Sequence, residues 1–265
     1  MTIAIYLNGA TVMTTPTQRV LEIARETGYA GIEARAERLL KDAAEVHATA
    51  GMVRPREVLT LNGVALTVRP DGRMDRQLIE ADLRPRLQIC QDLGSPYLLA
   101  IPPRAPGLET RRAIPATRDA LELARDRADR VGIRIAFEFL GFGDCPINTP
   151  AIATETVDGI EAIDLVLDSC HWHASGSQPL DAYPVDRLAL VHLNDAPDKP
   201  PRQIEDEDRV LPGEGVIRLG ALRAELKTRG FSGPWSLETF NHGYWADDPE
   251  SVARRGLAAV TRITS

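Results

Sequence analysis

Apolar and polar positions alternate between two periods along almost the whole chain, and that alternation predicts the fold. Ile3 to Leu7 is a short β-prone apolar run, and Thr17 to Thr27 follows with apolar residues at helical spacing, stopped by Gly28. Gly31 to Ala34 reads as a second strand and Glu37 to Ala50 as one helix. Val58 to Ala65 is a third strand, Asp75 to Leu93 a helix stopped by Gly94, and Tyr97 to Ile101 a fourth strand closed by Pro102-Pro103.

The second half repeats the unit. A helix over Leu108 to Val131 precedes a strand at Ile133 to Phe139, and Thr149-Pro150 opens another helix as a cap followed by proline in the first turn. Ile163 to Leu167 runs into Asp168, and Leu188 to Leu193 carries His192. Leu219 to Arg229 is helical, Trp235 to Phe240 is a strand containing Glu238, and Pro249 to Ile263 closes as a helix. Eight strands alternating with helices imply a parallel sheet, and 265 residues without a break in composition predict one (β/α)8 barrel domain over 1–265. A doubly wound open sheet is the alternative, weakened because no glycine-rich phosphate loop follows the first strand. The irregular stretch from Asn194 to Arg218, with four prolines, is too long for an ordinary connection and predicts a functional loop.

Charge narrows the partners. A net charge of −7 disfavours nucleic acid and anionic membranes, which want a basic surface. No apolar run approaches the roughly 18 residues of a membrane span, and Met1 to Asn8 has no signal-peptide pattern. Three cysteines without metal-type spacing read as reduced thiols in a cytoplasmic protein. A homo-oligomer is compatible with all of this.

Glu138, Asp168, His192 and Glu238 stand at or near the ends of the fifth to eighth strands, 30, 24 and 46 residues apart, each about one βα unit. In a barrel those ends open into one mouth. Three carboxylates and an imidazole there make an oxygen-rich site suited to one divalent ion, Mn²⁺, Mg²⁺, Co²⁺ or Zn²⁺. Structural capping or ion pairing explains any one such residue, but explains four on consecutive strands poorly. His171, three residues after Asp168, is read as a strand end turning outward toward a substrate hydroxyl, and His173 as turned away by alternation. Arg209 precedes Val210-Leu211-Pro212-Gly213, a turn that would aim its guanidinium inward at a substrate oxygen. Glu33 ends the second strand and is a candidate substrate contact. His47 is placed on a helix surface, and His242 after the eighth strand is unassigned.

Phe137-Glu138, Leu167 to His171, Val191 to Asp195, Arg209 to Gly215 and Ser236-Leu237-Glu238 together resemble the sugar phosphate isomerase/epimerase family, the xylose isomerase-like barrels that also include relatives of endonuclease IV. Asp206 to Val210 leading into Pro212-Gly213, with Gly31 to Arg35, are most similar to its inosose-isomerising branch. The resemblance implies a metal held by Glu138, Asp168, His192 and Glu238, with the two glutamates doubling as proton-transfer groups, and substrate contacts by His171 and Arg209. The expected activity is isomerisation or epimerisation of a small polyol or sugar ketone, an inosose or a ketose, through an enediolate. Dehydration of an inosose-like ketone is the enzymatic alternative, and a non-catalytic sugar-binding barrel the non-enzymatic one. DNA repair is disfavoured, since its metal cluster needs more histidines than five can supply.

Overall fold

Strands buried on both faces need near-continuous apolar runs, and these strands have them: every residue of Leu7 to Asn8, Gly31 to Ala34, Ala136 to Glu138 and Leu165 to Asp168 is buried. The computed structural model describes residues 3–265; Met1 and Thr2 of the opening stretch lie outside them.

Strand β1 (Ile5–Asn8) leads through a 3-10 turn to helix α1 (Thr17–Thr27), and β2 (Gly31–Arg35) to α2 (Ala36–Leu39) and α3 (Ala43–Ala50). Strand β3 (Val58–Ala65) precedes α4 (Arg76–Leu93), β4 (Tyr97–Ile101) precedes α5 (Thr110–Asp129), and β5 (Arg134–Glu138) precedes α6 (Pro150–Val157). Strand β6 (Ile163–Asp168) runs directly into α7 (Ser169–Ala174), and β7 (Leu188–Leu193) is joined by the long loop to α8 (Leu219–Thr228). Strand β8 (Trp235–Leu237) is followed by α9 (His242–Ala246) and α10 (Pro249–Thr264). Each strand pairs in parallel with the next, and β8 returns to β1 in the register Ile5 to Trp235, Tyr6 to Ser236 and Leu7 to Leu237, so the barrel is closed as the alternation predicts.

Side chains turned outward from the strands pack under the helices in the larger core. Those turned inward, Tyr6, Leu59, Leu99, Ala136, Val166 and Leu190 among them, fill the barrel itself. Because the strand period is two, the next inward positions after Tyr6, Ala136, Val166 and Leu190 are Asn8, Glu138, Asp168 and His192. The apolar plug is thus the floor on which the polar layer stands.

Three elements differ from the sequence reading. The helix expected over Glu37 to Ala50 is broken, because the Asp42 carboxylate accepts the backbone N–H groups of Ala44 and Glu45 and starts a new helix there. The residues after Asp168 are helical, not an outward-turning strand end. The Asp168 side chain caps α7 by accepting the His171 N–H at 2.8 Å. Strand β8 is also shorter than expected, ending at Leu237, so Glu238 sits one residue beyond it.

Candidate metal centre

The ends of β5, β6, β7 and β8 bring one oxygen or nitrogen atom each from Glu138, Asp168, His192 and Glu238 within 4.8 Å of one another. All four residues are between 0 and 3% exposed. Register accounts for the convergence: Asp168 and His192 are direct partners across β6 and β7, and His192 pairs with Ser236, two residues before Glu238. The His192 Nδ1 atom lies 2.8 Å from Glu138 Oε1 and 3.2 Å from Glu238 Oε2. Glu138 and Glu238 thus converge on one point. Their strands are three apart in a ring of eight, and both carboxylates close on the same imidazole nitrogen.

A second layer holds this one. On the far side of the ring, His192 Nε2 lies 3.0 Å from Glu33 Oε1. Glu33 also accepts from Thr60 Oγ1 and from Asn8 Nδ2, at 3.0 Å in the latter case. The same Asn8 amide donates to Glu238 Oε1 at 2.9 Å. Asn194 Nδ2 donates to Asp168 Oδ2 at 2.7 Å and to the Glu238 carbonyl at 3.0 Å. A buried carboxylate fixed from several sides keeps its position whether or not its charge is being used, and orientation of this kind governs metal affinity.

Arg209 reaches the centre from the long loop. That loop is built as a strap: Asp195 and Val210 exchange backbone hydrogen bonds of 2.9 Å, and the buried Asp195 carboxylate accepts the N–H groups of Gly213 and Ile217. The closure is tight enough that a Cβ on Gly215 would stand 2.2 Å from the Ala196 carbonyl oxygen. Arg209, 1% exposed, donates from Nη1 to Asp168 Oδ2 at 3.0 Å and to Glu238 Oε2 at 2.9 Å. Its Nη2 pairs with Asp206 Oδ1 at 2.6 Å and points at His171 Nε2 at 3.0 Å. Since a guanidinium only donates, His171 Nε2 must accept, which leaves the histidine proton on Nδ1.

Burial raises every carboxyl here, and neighbours decide the outcome. Glu138 is pushed up to about 7 by burial, opposed by His192 and reinforced by Glu238 and Asp168. Glu238 is raised by burial, with Asp168 and Glu33 adding to the shift and His192 and Arg209 opposing it. In Asp168 burial is outweighed by Arg209, His171 and His192, which lower it. In Glu33 His192 likewise outweighs burial, bringing it to about 2. Burial lowers His171 to about 4, Asp168 partly opposing and Arg209 adding to the shift. Burial would also lower His192, but the surrounding glutamates raise it well above its ordinary value. Four buried carboxylates against the guanidiniums of Arg209 and Arg35, the latter 3.7 Å from Glu238, and one imidazole still leave an excess of negative charge in a dry site. A divalent ion would offset it. Ligand bonds of about 2.0–2.2 Å would require donors no more than about 4.4 Å apart, close to the 4.8 Å span seen. Three carboxylate oxygens and one imidazole nitrogen, all buried, fit such an ion.

Above the centre lies a cavity of about 370 Å³. Of the four converging residues only Glu138 and Glu238 line it, together with His171 and Arg209. Two cations approach Phe240, with the Arg35 guanidinium 5.1 Å and that of Arg209 5.2 Å from its ring centre. On the opposite rim Arg104 stacks 4.4 Å over Phe142 and pairs with Asp144 and Glu205.

Glu138, Asp168, His171, His192, Arg209, Glu238 and Glu33 are thus all brought together, but not all as the sequence suggested. Glu33 is fully buried against His192 and is not among the cavity's lining residues. Arg209 grips Asp168 and Glu238 directly instead of standing apart from them. His171 enters from a helix. His47 and His242 are exposed and lie outside the site. Sequence reasoning missed Asn8, Thr60, Asn194 and Asp195. The Val191 to Asp195 segment was singled out as a motif, so the last two carried a usable signal; Asn8 and Thr60 carried none beyond a polar residue in a strand.

The chain matches the profile of the xylose isomerase-like TIM barrel over residues 21–263. An inosose isomerase of Bacillus licheniformis is 30% identical over 258 residues, covering 92% of this chain and 91% of that protein. A 3-dehydroshikimate dehydratase of Pseudomonas putida is 30% identical over 148 residues, 54% of this chain and 23% of the relative. The crystal structure of an IOLI protein with a zinc atom superposes with a TM-score of 0.88 at 27% identity, over 99% of this chain and 98% of that one.

Proposed function

The chain belongs to the xylose isomerase-like TIM barrel family and is an enzyme of it, and we propose that it isomerises or epimerises a small polyol or sugar ketone, an inosose or a ketose, by proton transfer through an enediolate. The observation that carries this reading is the selective exposure of the two glutamates: all four candidate ligands converge, yet only Glu138 and Glu238 also line the cavity. Asp168 and His192, shut beneath it, would only hold the ion. The inosose isomerase relative and the zinc-containing neighbour support the same reading.

A divalent ion at this centre would polarise the substrate carbonyl and acidify the adjacent C–H. Glu138 and Glu238 would take that proton from carbon and return it, one as base and one as acid. Arg209 keeps Glu238 and Asp168 in place and, with the Nδ1–H of His171, offers donors to substrate oxygen. The cavity lining balances Glu37, Glu138, Asp206 and Glu238 against Arg35, Arg104 and Arg209, which suits a neutral polyol. Residues 1–265 would form one domain. Three buried, unpaired cysteines support a reducing compartment such as the cytoplasm. Among the described residues no helix is long and apolar enough to cross a membrane.

Dehydration is the second reading, favoured by the dehydroshikimate dehydratase relative. Incubating the protein and a divalent metal with 2-keto-myo-inositol and a ketose panel separates the two by product mass. A product of unchanged formula is expected; loss of water would establish the dehydratase, and no conversion at all would overturn both.

A further inference from the structure

Buried polar atoms without a protein partner are rare, because each costs desolvation that no hydrogen bond returns. Six of the twelve found among the described residues belong to residues lining the 370 Å³ cavity: Arg35 Nε, Asn62 Nδ2, Asn62 Oδ1, His171 Nδ1, Asp206 Oδ1 and Arg209 Nε. Asp206 Oδ1 is nonetheless in ion-pair contact with Arg209, and the two arginines are engaged through their other nitrogens. Asn62 differs from all of them. It is 1% exposed, and neither the donor nor the acceptor of its carboxamide is paired.

Its position explains where that amide is directed. A register shift in β3 opposite Ile32 and Glu33 turns Thr60 inward, where it donates to Glu33. Asn62 is the next inward residue, one layer nearer the mouth, and it pairs in register with Arg35. In a ring of eight strands β3 stands opposite β7, which carries His192. A substrate seated on the metal centre would lie between the two. The amide torsion is broad and soft, so the group can swing toward a ligand at little cost.

We propose that Asn62 is a specificity-determining residue that reads, with one donor and one acceptor, a hydroxyl of a neutral polyol on the side of the molecule away from the reacting carbons. This rests on the reading of the site as a polyol isomerase and adds the group that selects among polyols. A hydroxyl both donates and accepts, so a carboxamide matches it whichever way the O–H points; a phosphate or carboxylate would leave the amide oxygen facing an anion.

Two measurements on Asn62→Leu, which keeps the branched shape and heavy-atom count and removes both polar atoms, test the assignment, with Asn62→Ala as the smaller variant. Thermal unfolding without ligand is the first. An amide held unpaired for a ligand is a burden on the free protein, so Asn62→Leu is expected to melt at a higher temperature than wild type. A lower melting temperature for both variants would make Asn62 a structural residue and overturn the proposal. The second compares kcat/KM for 2-keto-myo-inositol with that for its analogue lacking the hydroxyl across the ring from the carbonyl. Wild type should prefer the parent by about 10- to 100-fold, mostly through KM, and Asn62→Leu should lose that preference. An undiminished preference in the variant overturns the proposal while leaving the isomerase reading intact. If wild type converts neither compound, the isomerase reading fails for inososes, and the melting comparison alone decides whether Asn62 is held unpaired for a ligand.

Discussion

The two halves of the barrel contribute different chemistry to the same mouth. Strands β5 to β8 supply Glu138, Asp168, His192 and Glu238, every one able to ligate an ion. Strands β1 to β3 supply Asn8, Glu33, Thr60 and Asn62, three of them uncharged. Asn8, Glu33 and Thr60 are not among the converging groups; they hold His192 and Glu238, which are. Asn8 is the seam, since its one amide bonds Glu33 on β2 and Glu238 beyond β8. The difference teaches that charge locates this centre, whereas neutral hydrogen-bonding groups help to fix its geometry.

That division can be broken by substitution, and the largest effects should come from the second half. Glu238→Ala removes both a ligand and a proton-transfer group; elemental analysis should find the bound metal lost, and turnover should fall by at least the ~10²–10⁴-fold that general acid–base catalysis contributes. Equal metal content in wild type and variant would remove Glu238 from the centre. Next comes Arg209→Ala, which strips the counter-charge from Asp168 and Glu238. Denaturant unfolding of the metal-free protein should show a loss of about 3–5 kcal/mol, the cost of leaving buried charges unpaired. Added divalent metal should then recover more stability in the variant than in wild type. Metal-free stability unchanged by the substitution would mean that Arg209 serves substrate alone.

Substitutions in the first half should weaken the centre without abolishing it. Glu33→Gln keeps a hydrogen-bonding group on His192 but loses its charge, and metal titration should show affinity reduced about 10–100-fold. Complete loss of metal would place Glu33 among the ligands and erase the distinction between the halves. The smallest effect is expected for Thr60→Val, about 1 kcal/mol of stability from one lost hydrogen bond to Glu33, read by thermal unfolding.

The same contrast decides what was legible in the sequence. Glu138, Asp168, His192 and Glu238 interrupt apolar runs at one-unit spacings, and a charge there is conspicuous because burying it is costly. Asn8 and Thr60 lie in equally buried strands, yet a neutral polar residue at a strand end is ordinary, and which carboxylate it meets depends on register across the closing seam. Asp168 illustrates a different gap. Its place at a strand end is legible, but its capping of α7 cannot be told from strand alternation, so the sequence pattern puts His171 on a strand end where the structure has a helix. Arg209 was aimed inward by its turn, as the rigid Val210 to Gly213 sequence suggested. What it grips depends on Asp195 drawing the loop closed, a contact across 22 residues to Ile217 that no local pattern encodes.

Proton transfer by the paired glutamates is most directly tested by solvent exchange. Wild type loaded with a divalent metal and incubated with 2-keto-myo-inositol in D₂O should place deuterium on the carbon beside the carbonyl, as read by proton NMR and mass. Glu238→Gln, whose amide cannot accept the proton, should abolish the incorporation or confine it to one face. Conversion of substrate with no deuterium gained would mean that hydrogen passes directly between carbons, and would contradict the roles given to both Glu138 and Glu238.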